Sequence, residues 1–515
     1  MKNFFLTGLS MACSVKRLLS LMFFLGLLSP AIHAEDYYVN CGAASSTNAD
    51  GSQTNPWNTL DPLRKITFAG GDYIYFARGA TCSITTLFSP AGSGDATTGP
   101  ISVDAYTPAG STATALPVIS AVGSTANVVF KLQNQQYWEV NNLDLEGGVH
   151  YGLYVANTTA ASLTHLHFSG LVVEGATWTM KQRTDSGEVY ITSSVTGGTL
   201  NDVLVSHVQA GGANTTVSEG IFVQAGVGYQ TTTNQTGGLN VVVENSVAHD
   251  VYGDGILVVG ANGALLQNNV VYNSGVCPSN CGTSTPGGLW EWNCLNCTVE
   301  DNESYANQTY GSGDGGDYDL DASNSNNIIQ DNYGHDAGGY CVMLFSSNGN
   351  VNANDIIRNN TCTHNEQKSK SYNEGEIYVD SDAGSSIDGG QIYGNTLYWS
   401  PNTAQSSRFA ILTIHGKYSG ADTTIENNTV YAETNPNMVW TTTKTASPTL
   451  ILDDNQYVLS ETGATPVWAS GENDTDPAVP VPLDYYTNLD NNPSDPQSFN
   501  GNTGQDVNST FHGPS

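Results

Sequence analysis

"VEDNESYANQTYGSGDGGDYDLDASNSNNIIQDNYGH" (residues 299–335) contains one short pattern twice, with a strand-like segment between the copies. The copies are "VEDNESY" (299–305) and "IQDNYGH" (329–335). The same pattern recurs as "VENSVAH" (243–249), "LQNNVVY" (266–272), "IRNNTCT" (357–363), "IYGNTLY" (392–398) and "IENNTVY" (425–431). Its first residue is always aliphatic. Its fourth is Ser246 and then Asn269, Asn302, Asn332, Asn360, Asn395 and Asn428. Successive fourth positions are 23, 33, 30, 28, 35 and 33 residues apart, as expected of loops of varying length inserted into a constant unit.

A second element accompanies most copies: "DGILVVG" (254–260), "GGLWEWN" (287–293), "GGDYDLD" (315–321), "GGYCVML" (338–344) and "GEIYVDS" (375–381). Each reads as a short strand entered through glycine, without helical periodicity. A unit of at least two short strands cannot bury its apolar face alone, whereas stacked units can. The repeat therefore predicts a parallel β-helix, with strands about 4.8 Å apart on successive coils. The recurrent Asn is expected to form a ladder, each amide bonding the next coil. The asparagines are thus read as scaffold.

Composition agrees. Charged residues make up 12% of the chain and Gly, Asn, Ser and Thr abound, which suits an all-β fold with many tight turns. Residues 1–34 carry a basic pair, an apolar run and a small residue at Ala34, and read as a signal peptide. Without them the chain has 12 basic and 48 acidic residues, a net charge of −36. Such acidity argues against nucleic acid and anionic membranes as partners. Export leaves eight cysteines, 41, 82, 277, 281, 294, 297, 341 and 362, an even number that points to disulfides. The close set Cys277, Cys281, Cys294 and Cys297 also suits zinc.

These features resemble the right-handed parallel β-helix proteins of the pectin-lyase-like superfamily. The opening "DYYVNCGAASSTNADGSQTNPWNTLDPL" is similar to the start of exported bacterial members, and "GGDYDLDASNSNNIIQDNYGHDAGGY" to a stretch in carbohydrate-active ones. The resemblance implies an all-β, single-stranded right-handed solenoid over residues 35–460, with an N-terminal cap and an extended C-terminal tail over 461–515. It further implies a secreted, monomeric protein with a polysaccharide as partner. Fold alone leaves the activity open.

Aligning Gly255, Gly288, Gly316 and Gly339 as one column gives an expected site. Trp290 and Trp292 then point into the core with Tyr318 and Leu320. Glu291, Asp317, Asp319 and Asp321 point outward, with Glu291 directly above Asp319. A separation of about 5–5.5 Å suits a retaining glycosidase, and a diagonal pair with Asp317 or Asp321 suits an inverting one. Glu291, Asp319 and Asp317 are the expected catalytic residues. Asp321, His335, Asp336, Glu376, Asp380, Tyr340 and Arg408 are expected to bind substrate. The same four outward acids alternatively hold Ca²⁺, serving the fold or a uronate as in pectate-lyase-like members. The third alternative is a non-catalytic glycan-binding surface.

The lyase alternative needs a base, for which the sequence offers Arg408, or Lys368 and Lys370 in the loop before "NEGE". The polygalacturonase signature is not matched: "GHD" (334–336) stands where "GHG" is wanted and no "RIK" follows. Tyr252, Tyr310 and Tyr340 are expected as exposed stacking platforms. The single "GSGDGG" is a weak Ca²⁺ signal, and His165 and His167 are read as turn or core residues before metal ligands. No phosphate loop, nucleophile elbow or dinucleotide fingerprint occurs.

Overall fold

The third residue of the heptad explains the turn it makes. Asn245, Asn268, Asp301, Asp331, Asn359, Gly394 and Asn427 all have φ between 50° and 68° in the computed structural model. This left-handed conformation is tolerated best by Gly, Asn and Asp, and each of these residues bends the chain between two strands. The next residue, the ladder Asn, turns inward. Asn302, Asn332, Asn360 and Asn395 donate from Nδ2 to the Oδ1 of the following ladder residue at 2.9–3.0 Å, and from the backbone N–H to the same oxygen. Ser246 and Asn269 begin the ladder and Asn428 and Asn455 continue it.

The structure describes residues 34–227, 237–277, 286–308, 314–366 and 375–399, apart from 180, 182–183 and 382–383, together with shorter stretches between 410 and 512. The residues read as a signal peptide lie outside these. No α-helix occurs among the described residues. Coils of three strands stack into three sheets of 14, 14 and 13 strands, parallel throughout except for Asp484–Tyr486, which joins the end of the third antiparallel. Sheet 1 holds strands such as Leu265–Gln267 and Thr298–Glu300. Sheet 2 holds Val270–Tyr272 and Glu303–Tyr305. Sheet 3 holds Asp254–Val259, Leu289–Trp292, Tyr318–Asp321, Val342–Ser346 and Ile377–Ser381. One continuous apolar core runs inside, from Val39 to Tyr457. Sheet 3 continues past residue 460 with Val467–Ser470, and Thr510–His512 adds a strand to the end of sheet 2. Cys41–Cys82 and Cys341–Cys362 are disulfides, and Cys277 is also disulfide-bonded. Cys281 lies outside the described residues.

The ladder gives a direct stability test. Asn332 lies 2% exposed, and its Oδ1 accepts from both the backbone and the side chain of Asn302. Asn332→Ala leaves two buried donors of Asn302 without that acceptor and removes the bond to Asn360. The expected loss is about 2–5 kcal/mol, read as a lower denaturant midpoint at unchanged slope. A change below a few tenths of a kcal/mol would show that the ladder is decoration.

Candidate functional site on the outer face of sheet 3

Sheet 3 sets its register by burying aliphatic side chains, not by aligning glycines. Ile256, Leu289, Tyr318, Val342 and Ile377 are successive partners, all facing the core. The next inward column is Val223, Val258, Glu291, Leu320, Leu344 and Val379. The entry glycine precedes the first inward residue by one position in coils 255 and 288, by two at Gly316 and by three at Gly339. Loops of different length reach the sheet differently, while the core demands one apolar column. The glycine alignment is therefore off by one residue between Gly288 and Gly316.

That offset changes the expected site. Trp290 pairs with Asp319, and Trp292 with Asp321. Glu291 does not stand above Asp319; its partner is Leu320, and it is fully buried in the aliphatic column. Trp290 and Trp292, expected in the core, lie on the outer side. Asp317, expected outward, turns inward at the bend, where Ser304 Oγ donates to it at 3.0 Å and Asn307 Nδ2 at 2.8 Å. Burial pushes its pKa well above the usual carboxylate range against those two bonds. Only Asp319 and Asp321 of the four acids face outward. The four-carboxylate Ca²⁺ cage is not formed, because Ca²⁺ takes six to eight oxygens and two of the expected donors point the other way.

On the outer face one column runs Tyr154, Tyr190, Phe222, Leu257, Trp290, Asp319, Met343 and Tyr378. Parity explains it: these residues alternate with the core column along each strand. Tyr190 stacks on Phe222 with ring centroids 4.5 Å apart, and Tyr151 lies 4.6 Å from Tyr154. Tyr151, Tyr154 and Trp292 are partly exposed, while Trp290 is buried. Asp319 is 5% exposed, sheltered between Trp290 and Met343, and Asp321 is half-buried. A second outer patch packs Tyr340, Met343 and Tyr378 with Phe345 beside them. Phe345 is the register partner of Asp380, whose Oδ2 accepts from Tyr378 Oη at 2.8 Å.

The remaining expected residues scatter. Tyr340 is buried, not an exposed platform; its ring lies where a Cβ at Gly316 would fall, 2.2 Å away. Tyr252 is half-buried against Cys277. Glu376 faces the interior, where Asn365 Nδ2 donates to it at 2.8 Å; burial raises its pKa to about 8. His335 and Asp336 belong to sheet 2, with the imidazole stacked on Tyr305 at 4.9 Å and Nδ1 2.8 Å from Asp336 Oδ2. Arg408, Lys368, Lys370 and Tyr310 lie outside the described residues. His165 and His167 stand on sheet 1, where His165 bridges Glu139 at 3.1 Å and Asp202 at 2.9 Å.

One acidic place was not anticipated. On sheet 2, Glu146 and Glu174 are register partners on adjacent coils. They line a groove of about 690 Å³ with Gly147, Gly175 and Asn214. Asp144 lies two residues before Glu146. Burial, and then the charges of Glu146 and Glu174, raise its pKa to about 7. The signal was present in "LDLEGG" (143–148) and "LVVEG" (171–175), the first with the alternation of "DYDLD".

Comparison with known proteins supports the architecture. Protein-family models give no match to this chain, and curated protein sequences give none either. Among solved structures it is similar to the GH136 lacto-N-biosidase from Eubacterium ramulus. The native protein gives a TM-score of 0.57 at 16% identity, covering 77% of this chain and 68% of that one. Its selenomethionine derivative gives 0.54 at 16% identity, covering 77% and 67%. A mannuronic acid specific polysaccharide family 6 lyase from human gut microbiota gives 0.43 at 13% identity, covering 84% and 88%. The chain has a right-handed parallel β-helix fold.

Proposed function

We propose that this protein is a polysaccharide-active enzyme, a glycoside hydrolase whose catalytic carboxylates are Asp319 and Asp321. The observation that carries this reading is their place in the outer face of sheet 3. Each follows a tryptophan in register, beside a run of aromatic side chains. A stacked sheet is a long trough suited to a chain-like ligand, and partly exposed aromatics offer flat apolar faces to sugar rings. The GH136 lacto-N-biosidase, similar in fold, supports the glycoside-hydrolase reading.

Residues i and i+2 on a strand lie about 6.6 Å apart. That is compatible with the roughly 6.5–9.5 Å between the carboxyl groups of inverting glycosidases. Asp319, sheltered between Trp290 and Met343, serves as general acid in this reading. Asp321, more exposed, serves as the base that activates water. Glu291 and Asp317 have no part in this chemistry, because both face the interior.

The groove lined by Glu146 and Glu174, with Asp144 two residues before Glu146, is the rival seat for the same reaction. It is favoured by the raised pKa of Asp144 and by paired carboxylates about 4.8 Å apart along the stack. Purified protein assayed on plant and microbial polysaccharides, with and without Ca²⁺, decides the class. Hydrolysis releases reducing ends without ultraviolet-absorbing products; a lyase gives unsaturated products and loses activity with EDTA. Glycan affinity without any product would leave a binding solenoid. Trp292→Ala is expected to weaken substrate binding by about 1–2 kcal/mol, roughly 5- to 30-fold, with little change in kcat. Unchanged KM would remove Trp292 from the binding surface.

A further inference from the structure

Glu291 is an anomaly that the proposed chemistry does not use. Its neighbours above and below in the column are Val258 and Leu320. It is fully buried, and neither carboxylate oxygen has a hydrogen-bond partner. A carboxylate left this way costs several kcal/mol unless something neutralises it. Asp317, Glu188 and Glu376, equally buried, each have hydrogen-bond donors on at least one oxygen. Glu291 alone among these four has none.

What stands beside it is a pair of thiols. Ligand atoms of Glu291, Cys294 and Cys297 all lie within 4.8 Å of one another, and all three residues are buried. Among the described residues Cys294 and Cys297 are the free cysteines, whereas Cys41, Cys82, Cys277, Cys341 and Cys362 are disulfide-bonded. The two thiols occupy the turn that leads from sheet 3 to sheet 1, and they head two further inward ladders. Cys294 N–H donates to Asn324 Oδ1 at 2.7 Å, and Cys297 N–H to Asn327 Oδ1 at 2.8 Å. Those ladders fix the backbone of the C-x-x-C turn. Ala264 N–H donates to Cys297 Sγ at 3.2 Å, a bond that suits a thiolate.

We propose that Glu291, Cys294 and Cys297 bind a divalent metal ion inside the solenoid, with Zn²⁺ the fitting ion. Two thiolates and one carboxylate match zinc's preference for sulfur with borderline donors. Binding exchanges the metal ion for the protons of the two thiols and, where it carries one, of the carboxyl group. The fourth position falls to a water molecule. The ion would clamp strand Leu289–Trp292 to the turn after it, and so hold Trp290 and Trp292 beneath Asp319 and Asp321. It also explains how a C-x-x-C pair stays unoxidised in a chain whose other described cysteines are paired.

The test uses the full exported chain, purified without chelator. Elemental analysis is expected to give about one zinc per chain. Loading with Co²⁺ alone should produce thiolate-to-cobalt charge-transfer absorption in the near ultraviolet. Glu291→Gln should lower metal retention at least tenfold with the far-ultraviolet spectrum unchanged. Cys294→Ser with Cys297→Ser should abolish it. Should those variants fail to fold, the wild-type chain still decides. Prolonged chelation must remove the metal, expose two reactive thiols and lower Tm. Metal-free protein with two titratable thiols would overturn the proposal. So would an unreduced intact mass showing a fourth disulfide, beyond those of Cys41–Cys82, Cys341–Cys362 and Cys277.

Discussion

Asp319→Asn is expected to abolish polysaccharide cleavage, lowering kcat by about 10²–10⁴-fold, while the chain stays folded. Its partners in register are Trp290 and Met343, so a neutral isostere loses charge and proton-transfer capacity but fills the same space. Stability should change by less than about 1 kcal/mol, because the replaced group is on the outer side of the sheet and not in the aliphatic column. Asp321→Asn should do the same to kcat, and added azide or formate should restore part of the lost turnover if Asp321 is the base. The control is Glu174→Gln on sheet 2, where Glu174 meets Glu146. A silent Glu174 variant together with dead Asp319 and Asp321 variants locates the reaction on sheet 3. The reverse pattern, full activity in Asp319→Asn and none in Glu174→Gln, would move the active site to the groove.

The solenoid was legible because its signal is local. An Asn, Asp or Gly that bends the chain, an inward Asn after it and an aliphatic residue before it fit within one heptad. Each has a physical reason that needs no distant partner. The register of sheet 3 is not local. It depends on how many residues each inserted loop delivers before the first buried side chain. "GGLWEWN" and "GGDYDLD" look superimposable, yet Leu289 pairs with Tyr318 and not with Asp317. A one-residue slip exchanges the two faces of a strand. Burying carboxylates is costly, which argues against such a slip. Asp317 and Glu291 are nonetheless both buried. The first is met by Ser304 and Asn307, donors contributed by a neighbouring strand and the loop after it. The second lies beside Cys294 and Cys297, next in sequence but opposite a bend. Neither compensation is visible until the coil closes. The outward position of Asp319 and Asp321 survived, since Tyr318 and Leu320 were correctly assigned to the core.

Buried acids should also make this protein more stable in mild acid than at pH 8. Glu188 and Glu376 are fully buried, and burial raises their pKa values to about 7 and about 8 from an ordinary 4.5. Asp506 rises to about 6 from 3.8, again by burial. A raised carboxyl pKa means that the folded chain keeps a proton the unfolded chain has released. The stabilisation is complete below the unfolded value and is lost as pH climbs through the folded one. Each group then removes up to about 1.4 kcal/mol per pH unit across its window. The windows overlap most between pH 4.5 and 6, and between 7 and 8 Glu376 still contributes together with Asp355, whose pKa burial also raises to about 8. Asp202 works in the opposite sense. Burial resists its ionisation, but hydrogen bonds from His165 and His167 prevail and hold its pKa down. Its effect is confined to pH below about 4, under the unfolded carboxylate value. Urea unfolding from pH 4.5 to 8.5 should therefore show stability falling by several kcal/mol. Glu376→Gln should flatten the upper part of that fall, since its amide carries no proton to lose. A wild-type chain that gains stability from pH 5 to 8 would mean that these acids are ionised in the folded state. The interior would then have to neutralise them by contacts other than the hydrogen bonds from Thr215, Ala176 and Asn365.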